Sequence, residues 1–143
     1  MRSLLLCFSW LLSAAAIAGS ATLYSRLGGE EGVHAIAATL IDRVAADPKH
    51  GRSFKDTNLE RIKTLLAEQI CELSGGPCKY SGDPMREVHA GHHISQADFY
   101  DMVATLRDVL KERHVESGAT NELLRLLAPM KRDIVEAAAP GTK

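Results

Sequence analysis

Apolar residues return at helical spacing in four places along this chain, and no long stretch alternates with period two. The first set is Val33, Ile36, Ala37, Leu40, Ile41 and Val44, ended by Asp47-Pro48. The second is Leu59, Ile62, Leu65, Leu66, Ile70 and Leu73, ended by Gly75-Gly76-Pro77. The third is Phe99, Met102, Val103, Leu106, Val109 and Leu110, and the fourth runs from Leu123 to Val135. Thr57-Asn58-Leu59-Glu60 has the form of a capping box, and Ser95-Gln96-Ala97-Asp98 resembles one. Pro129 inside the fourth pattern predicts a bend or a new segment there. The expectation is one all-α domain, the size that 143 residues allow.

Between the second and third patterns lies GGPCKYSGDPMREVHAGHH, whose glycines and prolines exclude a full-length helix. A short helical piece is predicted around Met85–Ala90, with Gly91 ending it and His89 in its last turn. A packed helical core needs no such irregular connection; a cofactor between helices would account for it.

The first 21 residues read as a secretory signal peptide: Arg2, an apolar run from Leu4 to Leu12, then small residues with Ala16-Ile17-Ala18 and Gly19-Ser20-Ala21 as cleavage sites. The run is short for a membrane span and carries no basic flank behind it. Residues 22–143 then form the mature domain, exported to the periplasm or secreted, with no lasting membrane insertion. Arg2 is the one charged residue of the leader, so 16 basic against 18 acidic residues remain, a formal charge of -2. That balance points to neither a nucleic-acid nor an anionic-membrane partner. In the mature chain only Cys71 and Cys78 are left. An oxidising compartment would allow them to pair, and two separate thiols are the alternative.

Three of the six histidines, His89, His92 and His93, fall within five residues. A lone histidine is most often a surface or satisfied core residue. His89 differs because apolar Met85 and Val88 precede it on the same short element. A neutral imidazole against an apolar cavity suits the axial position of haem iron. Zinc asks for three or four ligands, and Gly91 breaks the helix that would align these three.

The segments LYSRLGGEEGV, RVAADP, SFKDTN, GGPCKYSGDPMREVHAGHHIS, DFYDMVATLRDVL and LLAPMKRDIV together resemble the group I truncated haemoglobins, from about Leu23 to Val135. The resemblance implies a two-over-two helical sandwich holding haem b. His89 matches the proximal histidine that coordinates its iron, and His92 and His93 fall where the family varies. Phe54 matches the phenylalanine that packs on the porphyrin, and Tyr80 and Met85 match residues of the proximal approach. Thr57 and Arg61 lie where a hydroxyl and a guanidinium would meet the propionates, a solvated helix arginine being the alternative for Arg61. Met102, Leu106 and Leu127 complete the expected cofactor surroundings.

The distal side departs from the family. Group I members commonly carry a Phe-Tyr pair where this chain has Leu40-Ile41, and the tyrosine hydroxyl bonds the gas ligand. A frequent glutamine is replaced by Leu66, with Ile62 one turn earlier, and two frequent aromatics by Gln69 and Ile70. The expected distal pocket is Ile41, Ile62, Leu66 and Ile70, with Gln69 the one nearby amide. Losing a donor weakens oxygen binding by roughly a kcal/mol or more and affects carbon monoxide or nitric oxide less. The function implied is a globin binding diatomic gas as carrier, sensor or scavenger. The alternative is a haem enzyme, a nitric oxide dioxygenase or a peroxidase-like protein. It would need a reductase partner or a polar distal group.

Overall fold

The computed structural model describes residues 21–136. The expected leader therefore lies outside the described residues, apart from Ala21. Among the described residues every regular element is helical, and no helix is long and apolar enough to cross a membrane.

The elements are α1 (Leu23–Arg26), α2 (Gly29–Ala46), α3 (Leu59–Leu73), α4 (Met85–His89), α5 (Gln96–Glu112), α6 (Ser117–Leu127) and α7 (Lys131–Ile134). A 3₁₀ turn, Gly51–Phe54, precedes α3, and another, Ala128–Met130, carries Pro129 between α6 and α7. Proline lacks the amide that a continuous helix would need there, so the fourth apolar pattern divides at that residue. The four long patterns become α2, α3, α5 and the α6–α7 pair. The short α1 and the 3₁₀ turn at Gly51 have too few residues to show a period and were not legible.

Local chemistry sets the starts. Ser95 and Asp98 form the reciprocal capping box that opens α5: the Ser95 hydroxyl accepts from the Asp98 amide, and the Asp98 carboxylate accepts from the Ser95 amide. The cap of α3 sits one residue later than its sequence form suggests. Asn58 accepts from the Arg61 amide at 3.1 Å, while the Thr57 hydroxyl donates to the Phe54 carbonyl at 2.6 Å. Thr57 is thereby committed to the preceding turn, and the shorter reach from Asn58 to the third helical amide decides the cap. At the α1–α2 corner, a Cβ at Gly32 would collide with the carbonyl of Leu27, so no larger residue fits that close approach.

α2 packs against α3 and α5, and α6 packs against the same two helices. The result is a two-over-two helical sandwich. Its centre is Ile36 and Leu40 of α2, Ile70 of α3, Val109 and Leu110 of α5 and Leu123 of α6, all essentially without solvent exposure. Each such side chain contributes about 1.5–3 kcal/mol by burial. α4 stands at the edge of this sandwich and packs against α7.

Candidate functional site

His89 is the last residue of α4, a helix of five residues. Its Nδ1 lies 2.8 Å from the carbonyl oxygen of Met85, one turn back. A neutral imidazole meets that carbonyl only as a donor, so the proton belongs on Nδ1 and the lone pair on Nε2. Burial pushes the imidazole pKa down and the nearby His92 adds to this, against the opposing hydrogen bond to Met85. The side chain is therefore neutral at pH 7, the state in which Nε2 ligates a metal. His92 and His93 are both exposed and lie past the end of α4.

The segment leading into α4 is fastened to α3 residue by residue. Cys71 and Cys78 form a disulfide, which resolves the two alternatives their spacing left open. Glu72, one residue after Cys71, accepts from the Tyr80 amide at 3.0 Å and from the Lys79 ammonium at 3.1 Å. Glu68, one turn earlier, accepts from the Ser81 amide and hydroxyl at 2.9 and 2.8 Å. The Ser81 hydroxyl and amide hold the Glu68 carboxyl below its ordinary pKa, and the Tyr80 amide and Lys79 do the same for Glu72. Beyond them the buried amide of Gln69 donates to Met85 Sδ at 3.5 Å. Thus four nearby residues of α3 grip the chain from Cys78 to the first residue of α4. Glu68 and Glu72 carried a readable signal, two carboxylates four apart flanking a cysteine, which pattern reading passed over.

The expected cofactor residues fall into three groups. Phe54, Ile62, Leu66, Met85, Met102 and Leu127 are half-buried apolar side chains, and Phe54, Leu66, Met102 and Leu127 pack against the core from its rim. Ile70 and Leu106 lie within the core itself, and Ile41 is 2 % exposed. Thr57 and Arg61 are exposed, and the Arg61 guanidinium reaches no acceptor among the described residues. Tyr80 is half-buried and its hydroxyl donates to the Asp83 carbonyl at 3.0 Å. Gln69 turns towards Met85 on α4, so its amide joins the α3 and α4 sides. Two surface hollows, one at Arg26–Gly32 and Arg113–Val115 and one at Ala128–Val135, include none of the expected residues.

The residues fit a flat apolar cofactor with one axial nitrogen. A neutral histidine with a fixed tautomer stands on α4, and incompletely buried apolar side chains stand on α3, α5 and the end of α6. Among the described residues, the buried Gln69 side-chain amide has only a thioether, a weak acceptor, as its partner.

A family model for bacterial-like globins matches residues 22–136. A group 1 truncated haemoglobin of Mycolicibacterium paratuberculosis is 33% identical over 83% of this chain and 88% of its own length. This chain belongs to the group 1 truncated haemoglobins. Another member, from Tetrahymena thermophila, is 29% identical over 78% of this chain and 93% of its own. Among solved structures, the Fe(III) form of the truncated haemoglobin from Tetrahymena pyriformis superposes with a TM-score of 0.76 at 27% identity, covering 82% of this chain and all of the other. The 2/2 haemoglobin of Synechococcus matches in fold with a TM-score of 0.74, over 80% of this chain and 98% of its own. In this globin, then, α2, α3, α5 and α6 form the two-over-two sandwich, and His89 stands on the short helix at its edge.

Proposed function

We propose that this globin binds haem b through His89 and takes diatomic gases at an iron whose far side is apolar. The observation that carries the reading is the His89–Met85 pair: Nδ1 is committed to a carbonyl 2.8 Å away, and Nε2 is left as the ligand. Bound there, haem supplies an iron position at which oxygen, carbon monoxide or nitric oxide is held reversibly. The chain's residues do the rest. Phe54, Met85, Met102 and Leu127 offer apolar surface to the ring. Ile41, Ile62 and Leu66 bring no proton donor to the gas, and Arg61 is free to pair with a propionate at the solvent edge. A gas-binding role suits this set better than catalysis, because bond cleavage calls for a polar distal group.

The same reading places the protein outside the cytoplasm after loss of residues 1–21. The Cys71–Cys78 disulfide supports this, since such bonds persist in oxidising compartments and are rare in the cytosol.

The test is an absorbance spectrum of the purified protein reconstituted with haem b. Reduction should give a five-coordinate spectrum, and carbon monoxide should shift it at once to a six-coordinate one. A protein that takes up no haem, or whose reduced form is already six-coordinate, refutes the reading.

A further inference from the structure

We propose that Glu136 is a positioning residue for His89, clamping the turn at which α4 ends. The inference rests on the reading of His89 as the iron ligand. α4 has only five residues, and Pro84 at its N-cap makes no side-chain hydrogen bond. Such a helix does not hold itself. After His89 the backbone leaves the helix through Ala90, takes φ +78° at Gly91 and φ +53° at His93. Left-handed backbone suits Gly91 and costs about 1 kcal/mol or more at a side-chain-bearing residue such as His93. Something outside the turn must hold it.

Glu136 meets it from the chain that follows α7. One carboxylate oxygen accepts from the Gly91 amide at 2.6 Å. The other lies 3.2 Å from Nδ1 of His93. The Glu136 amide in turn donates to the Ile94 carbonyl at 2.9 Å. The turn and the C-terminal segment therefore exchange bonds in both directions across about 45 residues of sequence. Partial burial alone would raise the Glu136 pKa; the His93 and Gly91 amides and the His93 imidazole outweigh it and hold the carboxyl ionised at neutral pH. At the other end of α4, Arg86 pairs with Asp133 at 2.7 Å. Both ends of the short helix are thus tied to the C-terminal segment, and Glu136 holds the end that bears His89. With the carboxylate gone, the turn relaxes and the last turn of α4, which carries the His89–Met85 hydrogen bond, frays more readily.

Glu136→Ala and Glu136→Gln are the variants, since glutamine keeps an oxygen for the Gly91 amide. In haem-free protein, Gly91 amide exchange should rise about fivefold or more in Glu136→Ala, the change expected for one lost hydrogen bond of ordinary net strength. In reconstituted protein, haem transfer to an acceptor apoglobin should accelerate by about the same factor, and the ferrous iron–histidine stretching band should shift or broaden. Glu136→Gln should recover most of both effects. Unchanged Gly91 exchange in Glu136→Ala would overturn the clamp. Faster exchange with an unaltered stretching band and haem transfer rate would overturn its positioning role. Failure of the underlying reading is separate and shows earlier, as natural protein that binds no haem.

Discussion

Nδ1 of His89 and the carbonyl oxygen of Met85 stand 2.8 Å apart within a single helical turn. The bond fixes the ring through the backbone, so a substitution at Met85 that keeps the helix leaves it intact. Replacing the ring does not. His89→Ala should lower haem affinity by more than about 100-fold, the upper end of what losing only a supporting partner costs. His92→Ala and His93→Ala should leave it within about fivefold, the net strength of one hydrogen bond. Haem titration followed in the Soret band checks all three, and an unchanged His89→Ala titration would rule out His89 as ligand.

The disulfide closes a short loop, its cysteines standing seven positions apart in sequence. Loop-closure entropy for that length stabilises the fold by roughly 2 kcal/mol. Cys71 is fully buried, and a buried free cysteine packs as a small hydrophobe. Cys78→Ala should therefore cost about the loop term and leave the core in place, a drop measurable by urea unfolding. The Glu68 and Glu72 hydrogen bonds remain in that variant, so the lead into α4 should loosen without detaching. If reducing agent leaves the unfolding midpoint of the natural protein unchanged, the bond does not form in solution.

Asp98 carries the clearest pH dependence. The Ser95 hydroxyl and amide, with Lys49 beside them, hold its carboxyl well below the ordinary carboxylate range, against partial burial. A depressed pKa means that the ionised group favours the fold. The contribution is complete above the unfolded value near 4 and is lost as pH falls below it. Asp98→Asn should cost about 1 kcal/mol at pH 7, a common figure for a helix cap, and show less additional loss on acidification from pH 5 to 3. Thermal unfolding over that range is the measurement, and parallel pH curves for the two proteins would exclude Asp98 as the source.

The sequence made the sandwich legible because α2, α3, α5 and α6 each bury a continuous stripe, and a stripe has a period. α4 was legible from punctuation: Pro84 before it and Gly91 after it leave room for a single turn ending near His89. The backbone partners that Glu68 and Glu72 take along the strap up to Ser81, and the Glu136 clamp, were not. Their bonds join backbone amides to carboxylates across 8 to 45 residues, and an amide has no letter of its own in a sequence. Thr57 shows the same limit on a smaller scale. Its hydroxyl had two nearby uses, and only the conformation of the turn at Phe54 selects between them.

The last prediction concerns the distal side. Leu66 is half-buried, whereas Ile41 is 2 % exposed. A donor introduced at Leu66 has room that one at Ile41 lacks. Ile41→Tyr should cost about 1–3 kcal/mol of stability by overpacking. Leu66→Gln avoids that cost and should slow oxygen dissociation about tenfold, if the new hydrogen bond contributes roughly 1.4 kcal/mol. Carbon monoxide accepts hydrogen bonds poorly, so its dissociation should change by less than about twofold, well under the effect of a full hydrogen bond. Stopped-flow ligand replacement measures both gases on both proteins. Slow oxygen release from the natural protein would mean that a donor already serves the site. Gln69 would be the group to remove next. Among the described residues its side-chain amide is held only by Met85 Sδ, so a small rotation would free it, and Gln69→Leu would then speed oxygen release where Leu66→Gln had failed to slow it.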